Sequence, residues 1–283
     1  MKDCRVPNAE WRVGIMLLLL LMLLIHSRAF AQNIELKTGQ VIETTGLRAS
    51  GDMVMAKVTV GETTGEVGYP ISQIAKIDFP EPRALQTARD LLTQGQAEKA
   101  VEEIEPIIRY YAPYKLVAGS WWAPAALVKV SALAVLKRDR EAEALAEEVR
   151  VSATSPEIAR AAELRTAAGL IRKQQLAKAA QICDAAIHES TDESVLADAW
   201  TTKGDVLAAQ RQWDAALVAY LHVPVFYREQ SLFMPAAMLG SARAFHHIDD
   251  NARARREFGE LIESFPKSAE ASIAQKELAK LPR

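Results

Sequence analysis

Cysteine is scarce in this chain of 283 residues, which has only Cys4 and Cys183. Aromatic residues are also few, with 5 Trp, 6 Tyr and 7 Phe, and neither sign of charge is in excess, with 34 basic and 36 acidic residues. Without a cysteine pair in its body the fold must depend on its apolar core, as a chain of this length can. Without a basic surplus, nucleic acid is not an expected partner. Apolar residues at 49% and charged residues at 25% are typical of an ordinary globular protein.

The N-terminus is typical of an export signal. Three basic residues precede the short apolar run 14–25, and Ala29-Phe30-Ala31 fits a cleavage site of the A-x-A type. We therefore predict a signal peptide over residues 1–31, cleavage after Ala31, and a periplasmic or secreted protein. Cleavage changes the formal net charge from −2 to −4. The run is shorter than the ~20 residues that cross a bilayer, so we expect no stable membrane span after cleavage; an uncleaved N-terminal anchor is the alternative.

Residues 32–80 have the pattern of short β-strands. Val54, Ala56 and Val58 alternate with Met55 and Lys57, as on a half-buried strand, and glycine-containing turns separate such stretches. Four or five short strands in so few residues can bury an apolar face by curling into a barrel. The expected module is a small all-β barrel that looks SH3-like or Sm-like. Residues 80–82, Pro-Glu-Pro, form a stiff break after it.

From residue 83 to residue 283 the composition favours helices, and a repeat recurs five times. Each copy contains an alanine that serves as its reference position, called the anchor. The anchors follow one another at intervals of 42, 37, 37 and 38 residues: Ala100, Ala142, Ala179, Ala216 and Ala254. Twelve residues before each anchor stands a residue that is small in four copies of five: Ala88, Val130, Ala167, Gly204 and Ala242. Small residues facing one another allow two antiparallel helices to approach closely. The pattern therefore predicts five packed helix pairs.

The fourth copy, WTTKGDVLAAQRQWDAALVAY, resembles the tetratricopeptide repeat (TPR) through Trp200, Gly204, Trp213, Ala216 and Tyr220. The family unit is about 34 residues long, so these copies have longer connections. Residues 255–278 are similar to the repeats of exported bacterial envelope proteins. The resemblance implies a mainly α fold, a TPR-like α-solenoid of about five helix pairs after the small barrel. A closing helix over 268–280 would cover the last apolar face.

The resemblance also implies a function without chemistry. Such repeats bind protein partners, so we expect a non-enzymatic adaptor or scaffold in the cell envelope that holds a protein or peptide in its groove. A cell-wall binding module, in which the barrel binds peptidoglycan or glycan and the repeats are a spacer, is the alternative. No cofactor is expected. The groove residues that the resemblance implies are Arg89, Arg172, Asp198, Thr201, Asp205, Arg243, His246 and His247; a solvated helix face is the other interpretation of each.

An aromatic-rich stretch, YYAPYKLVAGSWW, lies between the first and second helix pairs, where the anchors Ala100 and Ala142 are separated by the longest interval, 42 residues. One interpretation is a connection that folds back over exposed core. The other is a docking patch for a peptide, formed by Tyr110, Tyr111, Tyr114 and Trp121, because Tyr and Trp offer large contact areas at low entropic cost. Trp122 stands directly before Ala123-Pro124 and is expected to pack at the start of the next helix.

Two further features invite a chemical interpretation. His246, His247, Asp249 and Asp250 resemble a set of metal ligands, but consecutive residues at a helix end supply tetrahedral geometry poorly. We therefore expect no metal there. Cys183 lies at a packing position of a predicted helix and is expected to act as a small buried apolar residue. No phosphate-binding loop or nucleophile–base motif is recognised, so no enzyme is predicted.

Overall fold

The computed structural model describes residues 32–282. The predicted signal peptide, residues 1–31, and its cleavage after Ala31 lie outside the described residues. The chain divides into two compact units, Met1–Pro80 and Glu81–Arg283. In the described part, the first unit consists of strands and the second of helices.

The first unit contains two antiparallel sheets of three strands each. The first sheet has the order β2-β1-β6 and the second the order β3-β4-β5. A 3-10 helix, Ile71–Gln73, precedes the last strand. The strands are β1 (Gln32–Leu36), β2 (Val41–Thr44), β3 (Leu47–Ser50), β4 (Met53–Val60), β5 (Thr63–Pro70) and β6 (Ile74–Ile77).

The barrel expected from the sequence is not formed: within residues 32–80 neither sheet closes on itself. Consecutive strands β2 and β3 belong to different sheets because the chain changes direction after Thr44. The Thr44 hydroxyl lies 2.9 Å from the carbonyl oxygens of both Gly46 and Lys57, which holds this corner against β4. Strand β6 returns to pair with β1 instead of joining β5. Alternation in a sequence shows which residues share a face, but not which strand is the neighbour.

The alternation predicted for β4 is found at Val54 and Ala56, while Val58 is half-buried, and the first sheet also has buried apolar residues. Ile34 and Ile77 of the first sheet are buried, as are Val54 and Ala56 of the second. Met55 is half-buried and Lys57 is exposed, as expected for the other face of β4. The core of this unit is therefore built from short aliphatic side chains on both sheets.

The second unit contains eleven α-helices in a repeat-like arrangement within residues 81–282. A 3-10 helix, Ala112–Tyr114, follows the second of them. The helices are α1 (Arg83–Thr93), α2 (Ala97–Tyr111), α3 (Trp122–Val135), α4 (Asp139–Val151), α5 (Pro156–Arg172), α6 (Leu176–Glu189), α7 (Glu193–Ala209), α8 (Trp213–Phe226), α9 (Met234–His247), α10 (Asn251–Ser264) and α11 (Ala269–Leu278).

Each helix packs against the helices before and after it, and successive odd-numbered helices also contact one another. The five anchor alanines lie on α2, α4, α6, α8 and α10, and each is at most 5% exposed. Their small counterparts on the odd-numbered helices are buried as well. The helix pairs therefore pack through the positions that the repeat pattern predicted. The closing helix predicted over 268–280 corresponds to α11.

The turn inside every helix pair has the same backbone conformation. One residue in each turn has a left-handed φ, between 58° and 73°, and these residues follow the spacing of the anchors: Gly95, Lys137, Gln174, Arg211 and Asp249. In the fourth turn the amide of Gln212 donates to the carbonyl of Leu207, and that of Arg211 to the carbonyl of Ala208, both at 2.9 Å. This is the Schellman arrangement of a helix C-terminus. The five pairs thus share one turn geometry although only the first has glycine.

Among the described helices, none is both long enough and apolar enough to cross a membrane. The connections between pairs, in contrast with the turns inside them, differ in length and in sequence. The longest two, residues 112–121 and 227–233, contain most of the aromatic residues outside the helices.

Candidate functional site

Three cavities follow one another along the odd-numbered helices. The α1–α5 cavity, about 490 Å³, is lined by α1, α3, α5, the start of α7 and residues 229–233. The α5–α7 cavity, about 240 Å³, lies between α3, α5 and α7. The α9 cavity, about 380 Å³, is lined by α7, α8, α9 and α11. Ser131 and Arg165 line both of the first two cavities, so these two are contiguous.

The repeat places equivalent side chains in these cavities. The residue eleven positions before each anchor alanine lines a cavity in all five pairs: Arg89, Ser131, Ala168, Asp205 and Arg243. The residue fourteen positions before does so too: Gln86, Val128, Arg165, Thr202 and Gly240. Residues three apart on a helix share one face. One face of each of the helices α1, α3, α5, α7 and α9 therefore lines one of these cavities.

Arg165 of α5 stands where the first two cavities meet. Its guanidinium forms an ion pair with Asp198 of α7, and both side chains are mostly buried, with 16% and 12% exposure. The guanidinium also lies over the ring of Phe233, 5.3 Å from the centroid. Burial lowers the pKa of Arg165 to about 10. Its buried Nε has no hydrogen-bond partner within the described residues.

Residues 229–233, from the connection between α8 and α9, form one wall of the α1–α5 cavity. Phe233 is buried beneath Arg165 and packs with Ala197 and Ala237. Gln230 reaches Glu193 at the start of α7, with 3.5 Å between its amide nitrogen and the carboxylate. The long connection is therefore part of the cavity lining.

The α9 cavity is organised around Tyr220 of α8. A Cβ added to Gly204 of α7 or to Gly240 of α9 would come closer than 3.0 Å to the Tyr220 ring. The ring thus fills space that exists only because both positions are glycine. Its hydroxyl donates a hydrogen bond of 2.8 Å to Asp205. Asp205 is reached by water through the cavity, yet the surrounding protein desolvates its carboxylate and raises its pKa to about 6.

The remaining polar groups of the α9 cavity come from α9 and α11. Arg243 donates two hydrogen bonds to Glu277 of α11, at 2.6 and 2.9 Å, and the pKa of Glu277 is lowered by them. His247 is stacked on Trp213, with ring centroids 3.7 Å apart, and desolvation lowers its pKa below the ordinary value. Glu270, in the first turn of α11, is half-buried, and desolvation raises its pKa.

Six of the eight groove residues implied by the resemblance line a cavity. Arg89 lies in the α1–α5 cavity, Arg172 and Asp198 in the α5–α7 cavity, and Asp205, Arg243 and His247 in the α9 cavity. Arg89 is paired with Glu81 at 2.9 Å, and Arg172 with Asp139.

The other two groove residues point elsewhere. Thr201 is buried and donates its hydroxyl hydrogen bond to the carbonyl of Ala197, at 2.8 Å. His246 is exposed and bonds Asn251 at 2.7 Å.

The aromatic stretch between the first two pairs is divided between core and surface. Tyr111, Tyr114 and Trp122 are at most 6% exposed, whereas Tyr110 is 54% exposed. Trp121 is half-buried against the cluster that contains Leu85 and Ile104. Of the patch predicted for docking, only Tyr110 and part of Trp121 therefore offer surface in this conformation.

The segment with His246 and His247 and the residue Cys183 are the two features that invited a chemical interpretation. Within residues 32–282 no group of three or more His, Cys, Asp and Glu side chains is arranged to hold a metal. Cys183 is buried among Leu164, Ala186 and Ala199, and burial raises the pKa of its thiol to about 12. A thiol kept protonated in this way is a poor nucleophile.

Several lining residues were missed by the sequence analysis, above all Arg165, Glu270 and Phe233. Arg165 had a signal, because it occupies the same offset before its anchor as Gln86 and Thr202. Glu270 and Phe233 had none: they lie on the closing helix and on a connection, outside the repeat register.

No model of a known protein family matches the chain, and a comparison with curated proteins finds no significant match.

Proposed function

We propose that this chain is a non-catalytic, exported adaptor. Its helical unit would be a TPR-like solenoid of five helix pairs that binds an extended protein or peptide partner along the odd-numbered helices. The export part of the proposal rests on residues 1–31 of the sequence. The binding part rests on the series of cavities.

One observation carries the proposal: the same two offsets of the repeat line a cavity in all five pairs. An arrangement that repeats in this way presents side chains at regular intervals along one face, as extended partners require. The lining is mixed, with apolar residues such as Leu127 and charged ones such as Arg165, which suits a polypeptide better than a purely apolar ligand.

The turns support the TPR-like part of the proposal. Left-handed residues at five equivalent positions, and buried small residues at the facing positions of each pair, are what a TPR-like helix pair needs. The copies differ from the family in length, because their spacing of 37 to 42 residues exceeds its unit of about 34.

Site-specific photo-crosslinking in the native envelope tests the proposal. A photoreactive amino acid replaces Gln86 or Ser194, which are exposed and line the α1–α5 cavity. Matched controls carry it at Arg140 or Lys178, which are exposed on the even-numbered helices α4 and α6. We expect Gln86 and Ser194 to capture the same protein and the two controls not to capture it.

The same experiment distinguishes the adaptor function from the cell-wall alternative. Identical products from all four positions, or none from the two groove positions, would contradict the adaptor function. The cell-wall alternative instead predicts that the purified full chain sediments with protein-free sacculi and that substitutions along the cavities leave this sedimentation unchanged.

A further inference from the structure

The α9 cavity has an excess of negative charge that its own residues do not neutralise. Asp205 accepts a hydrogen bond from Tyr220 but forms no ion pair with any described residue. Glu270 likewise has no cationic partner in the described part of the chain. Both carboxylates are held in surroundings that desolvate them, which disfavours their charged forms. For Glu270, which lies in the first turn of α11, the helix N-terminus stabilises the negative charge modestly and offsets only part of the cost of desolvation.

The positively charged groups that line the same cavity compensate the two carboxylates only in part. The Arg243 guanidinium acts to lower the pKa of Asp205, but it is engaged by Glu277 in hydrogen bonds of 2.6 and 2.9 Å and forms no ion pair with Asp205, whose pKa stays raised. His247 is stacked on Trp213, and desolvation lowers its pKa, which favours the neutral imidazole. The site therefore has two carboxylates and one cation that already has its own carboxylate.

The rest of the lining suits the stem of a long side chain. Ala208, Ala236 and Leu239 form apolar wall, and the rings of Trp213 and Tyr220 form aromatic wall. Methylene groups pack against such surfaces while a charged end reaches polar groups beyond them. The volume, about 380 Å³, is near the lower end of the range for ligand pockets, which fits one side chain with its backbone.

We propose that the α9 cavity binds a basic side chain, Lys or Arg, of the partner, with its ammonium or guanidinium group between Asp205 and Glu270. This inference rests on the proposed function, because the cation is taken to belong to a polypeptide in the groove. Asp198, Thr202 and Asp205 lie on one face of α7, at intervals of four and three residues. Asp198 and Thr202 line the α5–α7 cavity and Asp205 lines the α9 cavity. A chain that follows this face passes from one cavity to the other.

The test is an NMR titration of the full chain with small probes. Nα-acetyl-lysine methylamide, whose ε-ammonium group is free, supplies the basic side chain. Nα-acetyl-norleucine methylamide is its uncharged counterpart. The Trp213 indole and the Gly240 amide, both at the cavity, report binding. We expect the lysine probe to shift both resonances and the norleucine probe to shift neither. This comparison needs no substitution, so it does not depend on any variant's folding.

A pair of matched double variants tests the carboxylates. Asp205→Asn/Glu270→Gln should weaken binding of the lysine probe by about ten-fold or more. Glu260→Gln/Glu263→Gln removes the same charge from exposed positions of α10 and should leave binding unchanged. Equal shifts with both probes, or unchanged affinity in the Asp205/Glu270 variant, overturn the proposal.

Two further outcomes separate the claims. A partner crosslinked through Gln86 and Ser194, with no binding of the lysine probe, refutes the cation site but not the adaptor. Probe binding without any crosslinked partner refutes the adaptor and, with it, the assignment of the cation to a partner's side chain, although the cavity then still binds a cation. If free putrescine binds more tightly than the lysine probe, the cation comes from a small amine, and its assignment to a partner's side chain is wrong.

Discussion

The ring of Tyr220 occupies the space left by Gly240, and its hydroxyl is thereby directed to Asp205 at 2.8 Å. Tyr220 belongs to α8, the second helix of its pair, whereas Gly240 belongs to α9 in the next pair. The contact therefore joins two pairs and places a polar group in the α9 cavity at the same time. Packing between repeats and the chemistry of the cavity depend on the same residues here.

Gly240→Ala is expected to lower the free energy of unfolding by roughly 1–3 kcal/mol, because the added methyl group overlaps the Tyr220 ring. Gly259→Ala is the matched control. A Cβ at Gly259 meets nothing within 4 Å, and alanine has the higher helix propensity, so this change should stabilise by about 0.5–1 kcal/mol. Denaturant unfolding of the two variants checks the prediction; a Gly240→Ala variant as stable as Gly259→Ala would refute the close packing.

Arg211→Gly is expected to stabilise the helical unit by about 0.5–1 kcal/mol. Arg211 has a φ of 61°, which costs a non-glycine residue about 1–2 kcal/mol, and its side chain makes no hydrogen bond or ion pair with the residues that the structure describes. Part of the gain is offset by the greater freedom of glycine in the unfolded chain. Gln210→Gly, one position earlier and outside the left-handed region, should instead destabilise. Thermal melts of both variants decide this, and a loss of stability in both would contradict the shared turn geometry.

Asp205 should make the stability of the chain fall as the pH rises from about 4 to about 7. Its folded pKa of about 6 lies above the ordinary value, so the fold favours the protonated form. The contribution of Asp205 to the stability of the fold is therefore complete at low pH and is lost as the pH rises through about 6. Because water reaches the carboxylate through the cavity, the effect is modest.

The measurement is a series of unfolding curves for the wild type and Asp205→Asn between pH 4 and pH 8. The variant should become more stable relative to the wild type as the pH increases, because its amide does not ionise and still accepts a hydrogen bond from Tyr220. A constant difference at all pH values would show that the Asp205 pKa is not raised.

Trp122→Ala is expected to destabilise by roughly 3–5 kcal/mol, because the side chain is 2% exposed at the start of α3. Tyr110→Ala, at 54% exposure, should cost less than about 1 kcal/mol, mainly through its edge contact with Tyr111. If the stretch also contacts the partner, Tyr110→Ala lowers the yield of the crosslinked product while stability is kept. Comparable losses of stability in both variants would contradict the division between core and surface.

Much of the second unit could be predicted because its signals are local. The alanine anchors and their small counterparts recur at helical spacing, and the helices α1 to α10 pair as that spacing predicts. The left-handed turns were harder to find: only Gly95 is a glycine, while Lys137, Gln174 and Arg211 are residues with no strong preference for a turn. Their position is visible only once the five copies are aligned with one another.

The strands show the opposite case. Alternation predicted the burial of Val54 and Ala56 on β4 correctly, but predicted a closed barrel where two sheets are found. Strand pairing depends on contacts between residues far apart in sequence, such as Ile34 with Ile77. The sequence of a single strand does not specify which strand pairs with it.

The sequence by itself determined the change from strands to helices and the five helix pairs with their buried small residues, because periodic burial is a property of the local backbone. Only the tertiary structure decided what these faces enclose. Phe233 arrives from a connection and Glu270 from the closing helix, and neither follows the repeat. The α9 cavity exists because two glycines on separate helices accept one tyrosine ring, and such three-way packing depends on the folded positions of α7, α8 and α9 together.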